Sequence, residues 1–338
     1  MAVELPNLGN YRKRTAYERT SLESVVPLKT PYVIMVDPAS VCNLKCLFCP
    51  TGDLKRIKET GRYQGLMKPE IFEKILDDVT NFPDPIKVLR LYKEGEPLVN
   101  PKFTEFVHAA KRNKNILRVD TTTNGLNLSP SLNQELIDSG IDQINISVNG
   151  MTEETFLRLT KKSVNINKFV DNIIDLCNRS GDTEIYVKAI RENLSDFERE
   201  LFIEKFSDYA DRIYFEGLQP NWPDFEFDYI DVDYTLGHYG QEAIQREVCP
   251  YIFYMMVVNA DGKVSACVQD WQHDLILGDL NKQSLREVWE GNLLRKLQLD
   301  HLKRRRCNYK ACSVCPVLKY GSLDNIDDAS KSIIAKFG

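Results

Sequence analysis

The chain carries three closely spaced cysteines in the segment Cys42-Asn43-Leu44-Lys45-Cys46-Leu47-Phe48-Cys49, a C-x3-C-x2-C triplet. An apolar run at 33–36, which predicts a buried strand, comes shortly before it. Three thiolates on a loop after a strand are suited to a [4Fe-4S] cluster that keeps one iron without a protein ligand. Zinc would require a fourth nearby Cys or His, which this segment lacks. We therefore predict an iron–sulfur cluster whose open iron can bind a small molecule.

Six runs of apolar and β-branched residues alternate with segments of helical spacing. The predicted strands are 32–36, 86–92, 116–122, 143–148, 184–190 and 212–215. Alternating strand and helix units of this length indicate a parallel sheet with helices packed outside it. Because six units are two short of a closed eight-stranded barrel, we predict an α/β fold with a partial (βα)6 TIM-like barrel over 31–220.

Polar residues follow the ends of the predicted strands. The cysteine triplet follows the first strand, and Glu96 and Asn124 follow the second and third. Ser147 lies at the end of the fourth strand. In folds of this kind, ligands bind at the carboxyl ends of the strands. We therefore expect these residues to converge at one mouth of the barrel.

A second group of cysteines lies nearer the end of the sequence and consists of Cys249, Cys267, Cys312 and Cys315. A predicted hairpin follows the first of them, with strands at 253–259 and 263–267 and a turn at Asp261-Gly262. A helix is predicted at 284–301. Four thiolates that include a C-x2-C pair are typical of iron–sulfur clusters and also of zinc ribbons. Spacing alone predicts a metal site and leaves both kinds open.

The triplet is the signature motif of the radical S-adenosylmethionine (radical SAM) superfamily, and the chain resembles this family in further segments. Phe48 is the aromatic residue before the third cysteine of the motif. The segment Glu94-Gly95-Glu96-Pro97 resembles the family's Gly-Gly-Glu-Pro motif with glutamate in place of the first glycine. Thr123-Asn124-Gly125 and Ile146-Ser147-Val148 stand where the family places its contacts with S-adenosylmethionine (SAM). The chain is identified as a member of this superfamily.

The resemblance implies a cofactor and a chemistry. The iron left open by Cys42, Cys46 and Cys49 would chelate the amino and carboxylate groups of SAM. Its reduction would release a 5′-deoxyadenosyl radical that abstracts a hydrogen atom from a C–H bond. The residues expected to contact SAM are Phe48, Gly95, Glu96, Asn124, Ser147 and Lys188.

Three of these expected contacts have specific partners. Glu96 would accept a hydrogen bond from the methionine amino group. Asn124 and Ser147 would bond to ribose hydroxyls or to the SAM carboxylate. Lys188, on the fifth predicted strand, would either meet that carboxylate or extend into solvent.

The second group of cysteines resembles the SPASM/twitch extension found behind many radical SAM domains. A full SPASM domain carries seven cysteines, whereas this chain has none after Cys315, so it is similar to the shorter, one-cluster twitch form. That layout resembles carbohydrate-modifying members of the 2-deoxy-scyllo-inosamine dehydrogenase type. It implies a second [4Fe-4S] cluster that transfers electrons, held by Cys249, Cys267, Cys312 and Cys315.

The resemblance leaves two reactions open. A substrate radical beside a hydroxyl group could pass an electron to the auxiliary cluster and become a ketone, which is a dehydrogenation. It could instead be quenched by a thiol, which is an epimerisation. Cys307 is the candidate thiol donor, because the other remaining cysteine, Cys177, has the apolar helical surroundings of a core residue. Of the two, we predict dehydrogenation of a secondary alcohol.

The predicted substrate is a hydroxylated small molecule such as a sugar, nucleotide sugar or aminocyclitol. The resemblance favours it, and aromatic and acidic residues of a linker at 221–248, together with Asp270-Trp271, are of the kind that bind polyols. Peptide-modifying relatives often begin with a leader-binding domain, which the polar arm at 1–30 does not resemble. A peptide maturase and a non-enzymatic, structural iron–sulfur protein stay as alternatives.

The composition indicates an ordinary folded protein. The 338 residues are 43% hydrophobic and 28% charged, and the net charge of -5 gives no reason to expect a nucleic-acid partner. The sequence shows no secretory signal and no membrane span. Nine cysteines without a signal peptide favour metal ligation in a reducing cytoplasm. The expected protein partner is an external electron donor such as flavodoxin or ferredoxin.

The chain is predicted to have five parts. They are an arm at 1–30, the barrel at 31–220, the linker at 221–248, the auxiliary iron–sulfur domain at 249–320 and a tail at 321–338. The basic run Lys303-Arg304-Arg305-Arg306 is predicted to be a solvated run of charges rather than an anion site.

Overall fold

A computed structural model describes residues 20–321 and 324–337 of the chain. Most of the predicted arm at 1–30 therefore lies outside the described residues. Within the described part, nine strands form a single sheet. The strands are β1 (Val33–Val36), β2 (Val88–Leu91), β3 (Val119–Thr123), β4 (Gln143–Val148), β5 (Glu184–Ile190), β6 (Arg212–Glu216), β7 (Met255–Val258), β8 (Lys263–Ser265) and β9 (Ile276–Asp279).

The helices lie mainly between the strands of the first part of the chain and after β9. They are α1 (Leu22–Val25), α2 (Leu54–Thr60), α3 (Pro69–Val79), α4 (Phe103–Arg112), α5 (Pro130–Asp138), α6 (Glu153–Thr160), α7 (Ile166–Arg179), α8 (Asp196–Phe206), α9 (Leu285–Trp289), α10 (Asn292–Leu302), α11 (Lys310–Ser313), α12 (Val317–Tyr320) and α13 (Ser330–Lys336). Short 3-10 turns at Pro50–Gly52, Pro97–Val99, Arg191–Asn193, Tyr251–Phe253 and Arg306–Asn308 complete the described elements.

The first six strands run parallel and lie in sequential order from β1 to β6. Each of them overlaps one of the six predicted strands. The sheet does not close on itself, because β6 forms one edge and β9 the other. The predicted α/β fold with a partial barrel is therefore confirmed, and the carboxyl ends of β1 to β6 share one edge of the sheet.

Local sequence signals explain where several helices begin. Pro69 occupies the first turn of α3, where a missing backbone N–H costs little. Ser195 and Glu198 form a capping box at the start of α8. Phe72 of α3 stacks on Phe106 of α4 with ring centroids 4.3 Å apart, so neighbouring helices pack on each other as well as on the sheet.

The predicted hairpin of the second part is present, and it extends the barrel sheet. β7 pairs in parallel with β1, with Met255 opposite Val33, and β8 and β9 continue in antiparallel order. The N–H of Asp37 donates to the carbonyl of Val258 at 2.9 Å and prolongs this pairing. The loops that follow β1 and β7 consequently lie side by side.

The predicted helix at 284–301 is two helices. Ser284 begins α9 with a capping box that includes Glu287, as the helix start implies. The chain then turns at Gly291, which is extended and precedes α10. A glycine inside a helical pattern weakens the helix by about 1 kcal/mol, which favours the break.

The segment predicted as a tail, 321–338, contains α13. The ring of Phe337, just after this helix, packs edge-on against Phe253 with centroids 6.4 Å apart. The predicted limits of the five parts stay predictions. Among the described residues, no helix has the length and apolar character needed to cross a membrane.

Candidate active site

The first cysteine site consists of Cys42, Cys46 and Cys49, on the loop after β1. All three thiols are free and partly exposed. Main-chain hydrogen bonds hold the loop against the end of α6, with the N–H of Lys45 donating to Thr160 at 2.9 Å. The N–H of Leu47 donates to Leu159 at 3.0 Å. The loop therefore presents its sulfur atoms beyond the carboxyl end of β1.

The environment of these thiols fits an iron–sulfur cluster. Burial raises the pKa of Cys42 to about 12 and that of Cys46 well above its usual value, and neighbouring negative charges raise both further. Thiolates at such a site need a nearby positive charge, which bound iron supplies. Three thiols on one loop are one ligand short of the four that a structural zinc site uses, so this set suits a [4Fe-4S] cluster with an open iron.

The segment at Gly95 packs directly against the chain that leads into this loop. The N–H of Glu96 donates to the carbonyl of Val41 at 3.0 Å. A Cβ atom at position 95 would overlap the carbonyl oxygens of Ala39 and Val41. Gly95 is thus needed for the close approach of two main-chain segments beside the first cysteine site.

The carboxylate of Glu96 is buried and bonded inside the protein. It accepts hydrogen bonds from the N–H of Leu98 at 3.1 Å, the hydroxyl of Thr123 at 2.6 Å and the N–H of Asn124 at 2.7 Å. Burial raises its pKa to about 7, although these bonds lower it. In this arrangement Glu96 ties the end of β2 to the end of β3. Its expected contact with the SAM amino group stays a prediction.

Asn124 connects the end of β3 to the cysteine loop. Its side-chain amide donates to the Asn43 side chain at 2.8 Å and contacts the sulfur of Cys42 at 3.8 Å. The structure thus brings Asn124, Glu96 and the first cysteine site together. This is the convergence at strand ends that the sequence predicts.

A cavity of 210 Å³ opens next to the cysteine loop, at the ends of β4, β5 and β6. Three residues expected to contact SAM line it, namely Phe48, Ser147 and Lys188. The ammonium group of Lys188 does not extend into solvent, because it bonds both carboxylate oxygens of Glu216 at 2.9 and 3.0 Å. Burial alone would lower the pKa of Lys188, but the negative charge of Glu216 raises it, and the net effect is a rise.

Two residues that the sequence did not single out also line this cavity. Nδ1 of His238 lies 3.2 Å from the carbonyl oxygen of Gly217, while its Nε2 has no partner in the described part of the chain. The side-chain oxygen of Gln219 likewise lacks a donor among the described residues. Both positions depend on how the linker folds back over β6, and no local pattern in the sequence indicates that path.

The second cysteine site consists of Cys249, Cys267, Cys312 and Cys315. These thiols are free and partly exposed, and burial raises their pKa values. The negative charges of Cys249, Cys312 and Cys315 raise the pKa of Cys267 further. The N–H of Gln269 donates to the sulfur of Cys267 at 3.3 Å. Four thiols with no spare position suit a fully ligated auxiliary cluster.

Arg306 belongs to this second site. Its guanidinium donates to the carbonyl of Cys312, and its charge lowers the pKa of Cys315 against the effect of burial. The basic run at 303–306 directly follows the end of α10 and is exposed at its first three residues, while Arg306 also contacts the second site. The charge is placed there because the 3-10 turn Arg306–Asn308 brings the chain back towards α11.

The other two cysteines belong to neither predicted ligand set. Cys177 is buried in α7, as expected of a core residue. Cys307 is exposed on the turn before α11, and it is not among the residues that line the cavity. Its predicted role as a hydrogen donor stays a prediction.

Asp270 and Trp271, expected to help bind a polyol, are used inside the fold. The Asp270 carboxylate accepts the N–H groups of Asp274 at 2.9 Å and Leu275 at 2.7 Å. The indole N–H of Trp271 donates to the carbonyl of Pro223 at 2.7 Å. Both side chains therefore support the segment that follows Cys267.

Comparison with known families identifies the two parts of the chain that carry these cysteines. The model of the radical SAM superfamily matches residues 36–201, and that of SPASM, an iron-sulfur cluster-binding domain, matches residues 249–316. The chain is a radical SAM enzyme with a SPASM domain. Its cofactors are SAM, a [4Fe-4S] cluster and an auxiliary iron–sulfur cluster. The assignment of the two clusters to the first and the second cysteine site stays a prediction.

Curated relatives are similar to part of this radical SAM enzyme. A GTP 3′,8-cyclase of Psychromonas ingrahamii is 30% identical over 192 residues, which is 55% of this chain and 52% of the relative. A tungsten-containing aldehyde ferredoxin oxidoreductase cofactor-modifying protein of Pyrococcus furiosus is 32% identical over 115 residues, 34% of this chain and 30% of the relative. The chain spans about half the length of the GTP 3′,8-cyclase it matches.

Solved structures share the fold over a larger share of the chain. BtrN in complex with AdoMet and 2-DOIA has a TM-score of 0.56 and 16% identity, covering 88% of this chain and 98% of its own. SuiB of Streptococcus suis bound to S-adenosylmethionine has a TM-score of 0.58 and 16% identity, covering 88% and 74%. BtrN is seen in complex with 2-DOIA, whereas SuiB is also seen bound to the precursor peptide SuiA. The shared fold therefore does not select a substrate.

Proposed function

We propose that this radical SAM enzyme dehydrogenates a secondary alcohol of a hydroxylated small molecule, such as a sugar, nucleotide sugar or aminocyclitol. The observation that carries this proposal is a pair of buried, unpartnered acceptors on residues that line the cavity, Nε2 of His238 and the side-chain oxygen of Gln219. Buried acceptors without donors are costly, so a bound ligand that supplies hydroxyl or amino groups is favoured. Trp222, which lines the same cavity, offers an apolar ring face to a sugar or cyclitol ring.

His238 is the group best placed to take the proton of the alcohol. If Nδ1 donates to the Gly217 carbonyl 3.2 Å away, Nε2 keeps a free lone pair on a ring that lines the cavity. Burial lowers the pKa of His238, so its neutral, basic form predominates near pH 7. Two main-chain bonds hold the residue in place, from the Gly217 N–H to its carbonyl at 2.7 Å and from its N–H to Tyr320 at 2.9 Å.

The ion pair of Lys188 and Glu216 gives the cavity a second polar feature. Its charges are balanced and both side chains are about 20% exposed, so the pair can bond to a neutral polyol on both the donor and the acceptor side. The pair therefore offers both a donor and an acceptor to the hydroxyl groups of a bound molecule.

The chemistry divides between cofactors and protein. When bound, SAM with its cluster supplies hydrogen-atom abstraction from carbon, and the auxiliary cluster supplies an electron acceptor. Loss of a hydrogen atom from the carbon, of the hydroxyl proton to His238 and of one electron converts the alcohol into a ketone. A reductant outside the chain, such as flavodoxin or ferredoxin, completes the proposal. The exposed position of Cys307 favours this reaction over an epimerisation that needs a thiol in the cavity.

The reaction can be tested with iron-loaded, anaerobic protein, SAM and dithionite in deuterated water, with 2-DOIA, UDP-glucose and GTP as separate substrates. We expect 5′-deoxyadenosine together with a ketone that carries no solvent deuterium at the oxidised carbon. Cys307→Ala should turn over at the wild-type rate. Mass spectrometry of the product decides between the reactions.

Two outcomes would contradict the proposal. A product with one solvent-derived deuterium at an inverted carbon, together with loss of turnover in Cys307→Ala, identifies an epimerase. If the protein modifies GTP readily and oxidises neither 2-DOIA nor UDP-glucose, the result points instead to the activity named for the GTP 3′,8-cyclase relatives.

A further inference from the structure

A group of buried charged residues lies between the two parts of the molecule. Arg62, Lys93 and Glu94 come from the barrel part, and His273 comes from the loop between β8 and β9. The side chains of Arg62, Lys93 and Glu94 are at most 1% exposed. Glu94 stands where the family's motif has its first glycine, so this charge is a departure from the family pattern.

Glu94 is the centre of this group. One carboxylate oxygen accepts the ammonium of Lys93 at 2.6 Å and Nε2 of His273 at 2.8 Å, and the other lies 3.1 Å from the guanidinium of Arg62. Burial opposes the charge, but Lys93, His273 and Arg62 lower the pKa of Glu94 to about 2. Lys93 also bonds to Asn259 at 2.7 Å, which is a second connection to the later part of the chain. The group is therefore a charged network that spans the contact between the two parts.

Arg62 extends this network to both cysteine sites. One guanidinium nitrogen donates to the hydroxyl of Thr51 at 3.0 Å, and the other donates to the carbonyl of Trp271 at 3.0 Å. Thr51 hydrogen-bonds to Cys49 of the first site, and both it and the charge of Arg62 act against the burial that raises the pKa of Cys49. Trp271 belongs to the segment that follows Cys267 of the second site. The guanidinium of Arg62 thus hydrogen-bonds to one residue near each cysteine site, Thr51 near the first and Trp271 near the second.

Packing alone does not explain this arrangement. A buried ion pair is weak evidence for stability, because removing its charges from water costs about as much free energy as the pair returns. The planar guanidinium instead provides directed hydrogen bonds at fixed angles, which suit the positioning of two segments at once. Groups of this kind around a metal site also tune its reduction potential.

We propose that Arg62 is a positioning residue that sets the reduction potential of the first cysteine site and makes it depend on the second part of the chain. The inference rests on the two clusters and not on the oxidation of an alcohol. Reduction adds negative charge to a cluster, so a buried cation next to Cys49 favours the reduced state. The hydrogen bond of His273 to Glu94 offsets part of the negative charge of this carboxylate, so it also favours the reduced state of the cluster.

The test is a redox titration of the iron-loaded protein, followed by electron paramagnetic resonance without SAM or substrate. At a fixed potential, Arg62→Met should lower the ratio of reduced to oxidised first cluster about tenfold, which corresponds to a midpoint shift of 59 mV for one electron. Arg62→Lys, which keeps the charge, should show a smaller loss. Arg56→Met is the matched control, because Arg56 comes from the neighbouring helix α2, is about half exposed and bonds only to peripheral groups. It should leave the potential unchanged.

His273→Phe tests the dependence on the second part of the chain, since it keeps a ring and removes the donor to Glu94. It should lower the reduced fraction of the first cluster in the same direction by a smaller factor. If Arg62→Met does not retain iron, Arg62→Lys and His273→Phe decide the question. A loaded Arg62→Met or His273→Phe protein with a wild-type midpoint at the first cluster overturns the proposal. Because no substrate is present, this result is independent of the proposed dehydrogenation.

Discussion

Gly95 shows how one residue controls the placement of the first cysteine site. The carbonyl oxygens of Ala39 and Val41 occupy the space that a side chain at this position would need, and they belong to rigid main chain. The stretch they belong to leads directly into Cys42. The absence of a side chain at Gly95 is therefore a structural requirement of the cofactor loop.

We expect Gly95→Ala to displace this stretch and to lower SAM cleavage roughly 100-fold, the effect of misplacing reacting groups by about 1 Å. Cleavage is measured as 5′-deoxyadenosine formed from SAM with dithionite. The auxiliary cluster is an internal control, because its iron should be retained in the variant. Full cleavage with full iron content would show that the overlap is relieved without moving the loop.

Asp37 connects three neighbouring strands at the element scale. It follows β1, its N–H bonds to the end of β7, and its carboxylate accepts the N–H of Glu94 after β2 at 3.4 Å. Burial and the charge of Glu94 raise the pKa of Asp37 from 3.8 to about 7. The folded protein therefore binds this proton more tightly than the unfolded chain, so stability falls as pH rises from about 4 to about 7.

Asp37→Asn should remove this pH dependence, since an amide does not titrate. As the pH rises from 5 to 8, the free energy of unfolding of the wild type should fall by about 2 kcal/mol relative to that of the variant. Urea unfolding of iron-loaded protein under anaerobic conditions measures the difference at each pH. Asp208→Asn, at an exposed carboxylate of the surface, is the control and should follow the wild type. Parallel curves for Asp37→Asn and wild type would show that Asp37 keeps an ordinary acidity.

At the scale of the whole molecule, two metal centres share one sheet. The first cysteine site follows β1, and the second takes Cys267 from the segment just after β8, whose partner β7 pairs with β1. The two sites are therefore held by a continuous ladder of main-chain bonds, and neither depends on the other for its ligands. Losing one cluster should leave the other in place.

Replacing Cys42, Cys46 and Cys49 together with alanine should leave about four of about eight irons per chain and abolish SAM cleavage. Iron and sulfide analysis with electron paramagnetic resonance measures this directly. Cys177→Ala, which removes a thiol from the core, is the control and should keep all the iron. A triple variant that still cleaves SAM would move the active cluster to the second cysteine site.

Local patterns in the sequence were sufficient to predict the six parallel strands and to indicate candidate metal ligands. A buried parallel strand is a short apolar run, and three thiolates that bind one cluster need close spacing, so both signals lie within a few residues of each other. The order of β1 to β6 then follows from the rule that consecutive parallel strands pair as neighbours. This order brings Cys42, Glu96 and Asn124 to one edge of the sheet.

Only the tertiary structure decided which residues from distant parts of the chain surround the two cysteine sites. His238 and Arg306 reach their positions because the linker and the last turns fold back over the sheet, and His273 meets Glu94 because β7 pairs with β1. These contacts join residues far apart in the chain, so no spacing in the sequence reports them. Their partners are chosen by burial, where each charge must find an opposite charge or a hydrogen bond to compensate for lost water.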